Sequence, residues 1–229
     1  KESMTAYAAG EAVQRAYNNV HICPLADGGE GTMEVMNRYL HGDIHEIEVA
    51  GPLFKTVHAK LAIMDDLAII ESAQACGLDY LTEEEKNGTE ATSYGVGEMM
   101  KYAYDHGVKR FLLTLGGSAC NDGGIGLLSG MGYGFFDQFD QRIPMNARGL
   151  ETLDHIKKTR LDLSSIEVEG ACDVTNPLCG KEGATYVFGP QKKVKDLEKT
   201  DQAMKHYAKI MSELVDKDDS CVPGAGAAG

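Results

Sequence analysis

Val108-Lys-Arg-Phe-Leu-Leu-Thr-Leu115 runs directly into Gly116-Gly-Ser-Ala-Cys-Asn-Asp-Gly-Gly124 and then into Ile125-Gly-Leu-Leu-Ser-Gly-Met131. A short apolar run bounded by glycine reads as a buried strand, the Gly-rich stretch as a tight loop, and residues 125–131 as a short helix. The same order stands nearer the start of the chain. Val20-His-Ile-Cys-Pro-Leu25 is strand-like, Ala26-Asp-Gly-Gly-Glu-Gly-Thr32 is the loop, and Met33, Met36 and Leu40 come next at helical spacing. Two strand–loop–helix units in one chain point to an α/β fold.

Outward from these units, residues 3–17 read as a helix with Ser3 or Thr5 as its cap. Residues 44–50, 56–64 and 67–73 alternate or are β-branched, with turn signals at Gly51-Pro52 and Asp65-Asp66, and read as an antiparallel meander. Thr92 or Ser93 caps a helix that stops at Gly107. Residues 166–174 read as a strand ending at Asp173, and 184–188 as another ending at Gly189-Pro-Gln-Lys192. Leu197, Thr200, Met204, Tyr207, Met211 and Leu214 step by three and four, so 195–215 is a helix whose Met and Tyr stripe is core packing. Helices alternating with strands, plus one meander, predict α/β with a mixed sheet.

Composition removes several classes of function. The 229 residues carry 22 basic and 35 acidic side chains, a net charge of −13. Binding to nucleic acid or to an anionic membrane surface needs clustered Lys and Arg, so neither is expected. No stretch of 18 apolar residues is present, so no membrane-spanning helix is expected. The six cysteines (Cys23, Cys76, Cys120, Cys172, Cys179 and Cys221) form no CxxC pair, which argues against zinc. They read as reduced, mostly buried thiols of a cytoplasmic protein. The chain opens without Met or a first strand and stops in Pro223-Gly-Ala-Gly-Ala-Ala-Gly229, which reads as a fragment.

A helix start behind a glycine loop presents free amides to an anion, and glycine lets the backbone approach a phosphate closely. Both loops here also carry acids: Asp27 and Glu30 in the first, Asp122 in the second, with Asp173 at a further strand end. Carboxylates beside a phosphate repel it unless a divalent cation lies between them, so the pattern suggests Mg2+–phosphate chemistry. The plain alternative is a pair of structural turns with solvated acids. Standard signatures fail: Gly180-Lys181-Glu182 is no Walker A loop, and neither HExxH nor GxSxG occurs. Gly224, Gly226 and Gly229 match GxGxxG, but no convincing strand precedes them, so a dinucleotide-binding oxidoreductase is a weak alternative.

Five stretches in order carry a resemblance: Ala26–Thr32, Gly116–Gly124, Ala171-Cys-Asp-Val-Thr-Asn-Pro-Leu178, Phe188-Gly-Pro-Gln-Lys192 and Pro223–Gly229. Together they resemble the bacterial glycerate kinase family, the type that makes 2-phosphoglycerate, and Lys1-Glu2-Ser3 resembles the end of that family's N-terminal segment. Two departures stand out. Lys193 occupies a position where the family has glycine, and the segments near Asn18 and Asp66 are short.

The resemblance implies two α/β domains with the active site between them. Residues 1–40 would be the first part of a split flavodoxin-like domain, 41–222 an inserted α/β domain with a mixed sheet, and 223–229 the start of the return. It implies transfer of phosphate from ATP to glycerate with Mg2+ as cofactor, in the cytoplasm. Such transfer needs positioning, a metal, positive charge near the γ-phosphate and a group that orients the hydroxyl. On the matching motifs, Gly28, Gly29, Gly116, Gly117, Ser118, Asn121, Gly123 and Gly124 would cradle phosphates or the glycerate carboxylate, with Asn176 as a polar orienter. Asp27 and Glu30 would hold Mg2+, and Asp122, Asp173 and Lys192 would be catalytic; which acid is base and which is ligand stays open. A non-catalytic nucleotide- or organic-acid-binding module is the other alternative. The loops at 27–31 and 116–124 are expected to border one cleft, with Asp173 beside them.

Overall fold

A computed structural model describes residues 4–229; Ser3 and its proposed cap, and the Lys1-Glu2-Ser3 match, lie outside the described residues. In chain order the elements are α1 (Ala6–Ala16), α2 (Thr32–Leu40), β1 (Asp43–Ala50), β2 (Thr56–Met64), β3 (Leu67–Glu71), α3 (Ala73–Cys76), α4 (Tyr94–Asp105), β4 (Arg110–Thr114), α5 (Ile125–Gly130), β5 (Gly134–Phe136), β6 (His155–Lys157), β7 (Glu167–Ala171), α6 (Ala184–Phe188) and α7 (Leu197–Val215).

Five strands form one sheet in the order β1-β2-β3-β4-β7. The pairs β1–β2 and β2–β3 are antiparallel, whereas β3–β4 and β4–β7 are parallel, which makes the sheet mixed as the sequence predicts. The third strand therefore leaves the meander. It ends at Glu71, turns into α3, and its other edge accepts β4 in parallel through the α3–α4 crossover. In an open α/β sheet the carboxyl ends of parallel strands face the ligand side. Here that edge carries Glu71 at the end of β3 with Ser72 beyond it, Leu115 to Ser118 after β4, and Cys172 and Asp173 after β7.

Alternation along β3 sorts its side chains between two cores. Ala68 and Ile70 join Leu61, Phe111, Val96 and Met99 under α4, while Ile69 joins Met33 and Ala62 under α2. A third cluster unites Ile125, Phe135, Leu150, Met204 and Tyr207 beneath α7, confirming that helix's stripe as packing. Thr5 caps α1 by accepting from Ala8 N at 3.1 Å, and Asp196 caps α7 by accepting from Lys199 N at 2.9 Å.

Three expectations are corrected. Residues 184–188 are a helix, not a strand. Buried Ala184 and Thr185 pack this turn against α7, and a five-residue apolar run carries no period that separates strand from helix. Residues 20–25 form no regular element and pair with no strand of either sheet. The cysteines are all unpaired, but only Cys76 and Cys120 are buried, while Cys23, Cys172 and Cys221 are exposed. Among the described residues no helix is long and apolar enough to cross a membrane.

Candidate functional site

The two glycine loops meet backbone to backbone. Gly116 N donates to Gly28 O at 3.3 Å, and a Cβ on Gly116 would stand 2.7 Å from the Cα of Gly29. Gly28 has φ +85, and a Cβ there would lie 2.8 Å from the carbonyl oxygen of Ala171 at the end of β7. Only glycine permits this approach. The result is a cleft of about 310 Å3 at the carboxyl edge of the sheet, lined by Asp27, Glu30, Asp79, Gly116, Gly117, Asp173 and Gln191. A second cavity of about 150 Å3 shares Gly116, Gly117, Asp173 and Gln191 with it and reaches Ser118 and Lys192. Loops 27–31 and 116–117 thus border one cleft with Asp173.

Within the first loop, Gly29 N donates to Asp27 Oδ1 at 3.1 Å, and Thr32 Oγ1 donates to Gly29 O at 2.6 Å. In the second, the amides of Gly123 and Gly124 are engaged by Gly229 O at 3.2 Å and Asp122 Oδ1 at 3.1 Å. The amides of Gly117 and Ser118 make no hydrogen bond among the described residues. Donors available to an anion are therefore concentrated at the start of the loop, not spread along it.

Asp122 lies elsewhere. It is fully buried and accepts from Ser93 N at 2.8 Å, from Ser93 Oγ at 2.9 and 3.1 Å, and from Gly124 N and Gly126 N at 3.1 and 3.3 Å. Burial raises its pKa above the usual aspartate value, and these donors pull it partly back. Ser93 Oγ in turn accepts from Leu127 N at 2.8 Å. Asp122 thus ties the loop to the starts of α4 and α5 and does not line the acidic cleft. Asn121 is also fully buried; its Nδ2 donates to Thr185 Oγ1 at 2.9 Å, while its Oδ1 has no partner among the described residues.

Lys192 is 5% exposed. Its ammonium donates to Ser118 Oγ at 3.1 Å, to Cys120 O at 2.6 Å and to Ala228 O, and burial lowers its pKa. Ser118 Oγ donates to Ala228 O at 2.9 Å. The ammonium therefore stands beneath Ser118, behind the wall of the cleft. Asn176 is set apart: its Nδ2 donates to Glu182 O at 2.7 Å, and it lines neither cavity. Sequence reading missed Gln191 and Asp79, which line the cleft. The signal for Gln191 was its place beside Lys192 in the Gly189-Pro-Gln-Lys192 turn; Asp79 stood in no motif.

No group of three or more His, Cys, Asp or Glu is gathered for a metal among the described residues. The Gly224, Gly226 and Gly229 match sits in consecutive turns after α7, without the strand that leads into a dinucleotide-binding loop.

A family model described as "Glycerate kinase family" matches residues 1–229. A curated glycerate kinase of Haemophilus influenzae is 39% identical over 241 residues, covering all of this chain and 64% of that protein. One from Halalkalibacterium halodurans is 36% identical, covering all of this chain and 63% of that protein, and a glycerate 2-kinase of Escherichia coli gives the same figures. A crystal structure from Salmonella typhimurium described as a candidate glycerate kinase 2 superposes with TM-score 0.89 at 38% identity, covering all of this chain and 65% of that one. The chain spans under two thirds of the length of these relatives.

Proposed function

Because the chain belongs to the glycerate kinase family, we propose that its acidic cleft serves phosphoryl transfer from ATP to the 2-hydroxyl of glycerate, giving 2-phosphoglycerate. The observation that carries this reading is the juxtaposition of three carboxylates in one cleft (Asp27, Glu30, Asp173) with the loop amides of Gly117, in that cleft, and Ser118, in the cavity that adjoins it, neither of them hydrogen-bonded among the described residues. Amides alone suit an anion and carboxylates alone suit a cation; both together suit a metal–phosphate pair.

Asp27 and Glu30 would hold Mg2+, which when bound neutralises charge on the transferring phosphate. Asp173, exposed beyond β7, orients the glycerate hydroxyl and accepts its proton. Gly28, Gly29, Gly116 and Gly117 let ligand oxygens approach the backbone, and the amides of Gly117 and Ser118 donate to them. Lys192 places its charge beneath Ser118 and acts through that wall. Asp122, Asn121, Gly123 and Gly124 keep the loop in shape, and Asn176 pins the turn that carries Asp173.

The test is glycerate-dependent ADP release by the full-length enzyme. Asp173→Asn should lower kcat by about 10²- to 10⁴-fold, the range for losing a general base, with KM for ATP little changed. Asp79→Asn, in the same cleft but without an assigned role, should stay near wild type. Absence of glycerate-dependent ADP from the wild type, or a near-normal kcat for Asp173→Asn, overturns the reading.

A further inference from the structure

Helix α2 begins without a cap of its own. Its N-cap residue is Gly31, at φ +83, which has no side chain to accept from the first free amides. Thr32 turns back instead, donating through both N and Oγ1 to Gly29 O at 3.3 and 2.6 Å. Met33 N is left to a residue 38 positions away: it donates to Glu71 Oε1 at 2.8 Å. Glu71 is the last residue of β3, paired in register with Thr114 of β4, and is 2% exposed. Gln74 Nε2 lies 3.4 Å from its other oxygen.

We propose that Glu71 is a positioning residue, which caps α2 from the sheet and so fixes the Asp27–Gly31 turn in the cleft. The turn is held at two points. Gly116 grips Gly28 on one side, and Glu71 grips the helix start just beyond Gly31 on the other. Glu30 lies between those grips, and Asp27 borders the first of them. Burial raises the Glu71 pKa and repulsion from Glu30 adds to it, while the Met33 amide and Gln74 pull it back; the role needs only an acceptor oxygen at that place. The cluster of Met33, Ala62 and Ile69, with Met36, Met64 and Leu112 packed against it, also links α2 to the sheet. Its contacts are apolar and non-directional, and they do not set the rotation of the helix start.

The kinetic part of the test rests on the phosphoryl-transfer reading, and the exchange part does not. In the full-length enzyme, Glu71→Leu removes the acceptor, while Glu71→Gln keeps one. Hydrogen exchange over residues 28–35 should quicken about fivefold or more in Glu71→Leu, as for loss of a helix cap, and stay near wild type in Glu71→Gln. Protection of β4 and α4 should be unchanged in both. The Mg2+ concentration for half-maximal glycerate phosphorylation should rise by a similar factor in Glu71→Leu and be restored in Glu71→Gln. Unchanged exchange over 28–35 in Glu71→Leu overturns the proposal, as does equal loosening in Glu71→Gln. Should Glu71→Leu not fold, Glu71→Gln decides: wild-type protection supports the acceptor role, and its loss overturns it. A wild type that makes no glycerate-dependent ADP removes the kinase reading and leaves the exchange result standing.

Discussion

Lys192 is a buried ammonium, kept charged by two backbone carbonyls and one hydroxyl. Burial lowers its pKa below 10.5, so ionising it costs more in the folded state than in the unfolded chain. As pH rises through the lowered folded-state value towards 10.5, the unfolded chain binds more protons and the wild type gains stability. Lys192→Met removes this dependence. At neutral pH it should be less stable by about 1–3 kcal/mol, since it leaves Cys120 O without its donor and Ala228 O with Ser118 Oγ alone. Its kcat should also fall as the Ser118 wall loosens. Lys193 is the control: it is exposed, paired with Glu83, and in left-handed backbone at φ 55, where glycine sits without strain. Lys193→Ala should leave kcat within about twofold, in line with the weakness of surface ion pairs. Thermal melts across pH with a coupled assay check both; equal losses from the two lysines would remove Lys192 from the loop's support. Residue types at this scale were legible, because glycines and acids announce a site by chemistry. Their orientation was not. Asp27 and Asp122 look alike in sequence, yet one lines the cleft and the other is buried among the donors of Ser93, Gly124 and Gly126. Glu71 gave no signal beyond being an acid at the end of an apolar run.

At the scale of elements, the strand–loop–helix unit at 108–131 was readable because period and punctuation agreed. Residues 184–188 misled because their β-branched and aromatic side chains favour a strand, whereas burial against α7 decides for a helix turn. The pass of α4 over α5 shows the same priority of packing. A Cβ on Gly97 would stand 2.1 Å from Leu127 O and 2.9 Å from Gly130 Cα. Helix propensity favours Gly97→Ala by about 1 kcal/mol. The clash opposes it, and forcing atoms into a packed contact costs about 1–3 kcal/mol or more. With a backbone carbonyl at that distance the clash should win. The expected net loss is about 2 kcal/mol at the upper end of that range, read as a lower urea midpoint at unchanged slope. Since Ser93, just before α4, holds Asp122, activity should fall with it. A variant as stable as wild type would show that α5 moves aside freely.

The whole molecule is unevenly secured. The sheet from β1 to β7 is covered by α4 and its core, but α1 buries no residue, and Met4, Val13, Tyr17, Leu25, Tyr39, Leu40 and Ile44 are exposed apolar side chains from the first 44 residues. Single exposed apolar residues are ordinary, but seven within one stretch are not. The glycerate kinase relatives extend beyond this chain by about a third of their own length. We propose that in the full-length enzyme residues 1–40 and 223–229 belong to a split domain that covers this surface, with 41–222 as the insert. The polypeptide of residues 1–229 made on its own should then show two levels of order. Limited proteolysis should cut first within 4–31, where α1 gives no burial to resist opening, while 43–215 stays intact. Glycerate-dependent ADP formation should be absent, because the Asp27–Gly31 turn would hang from Gly116, α2 and Glu71 alone. Adding the remaining segment of a full-length relative in trans should slow the early cleavage if that segment covers the exposed face. A polypeptide of 1–229 that resists cleavage at 4–31 and turns over at the full-length rate would show that α1 needs no cover, and the split-domain arrangement would fall with it.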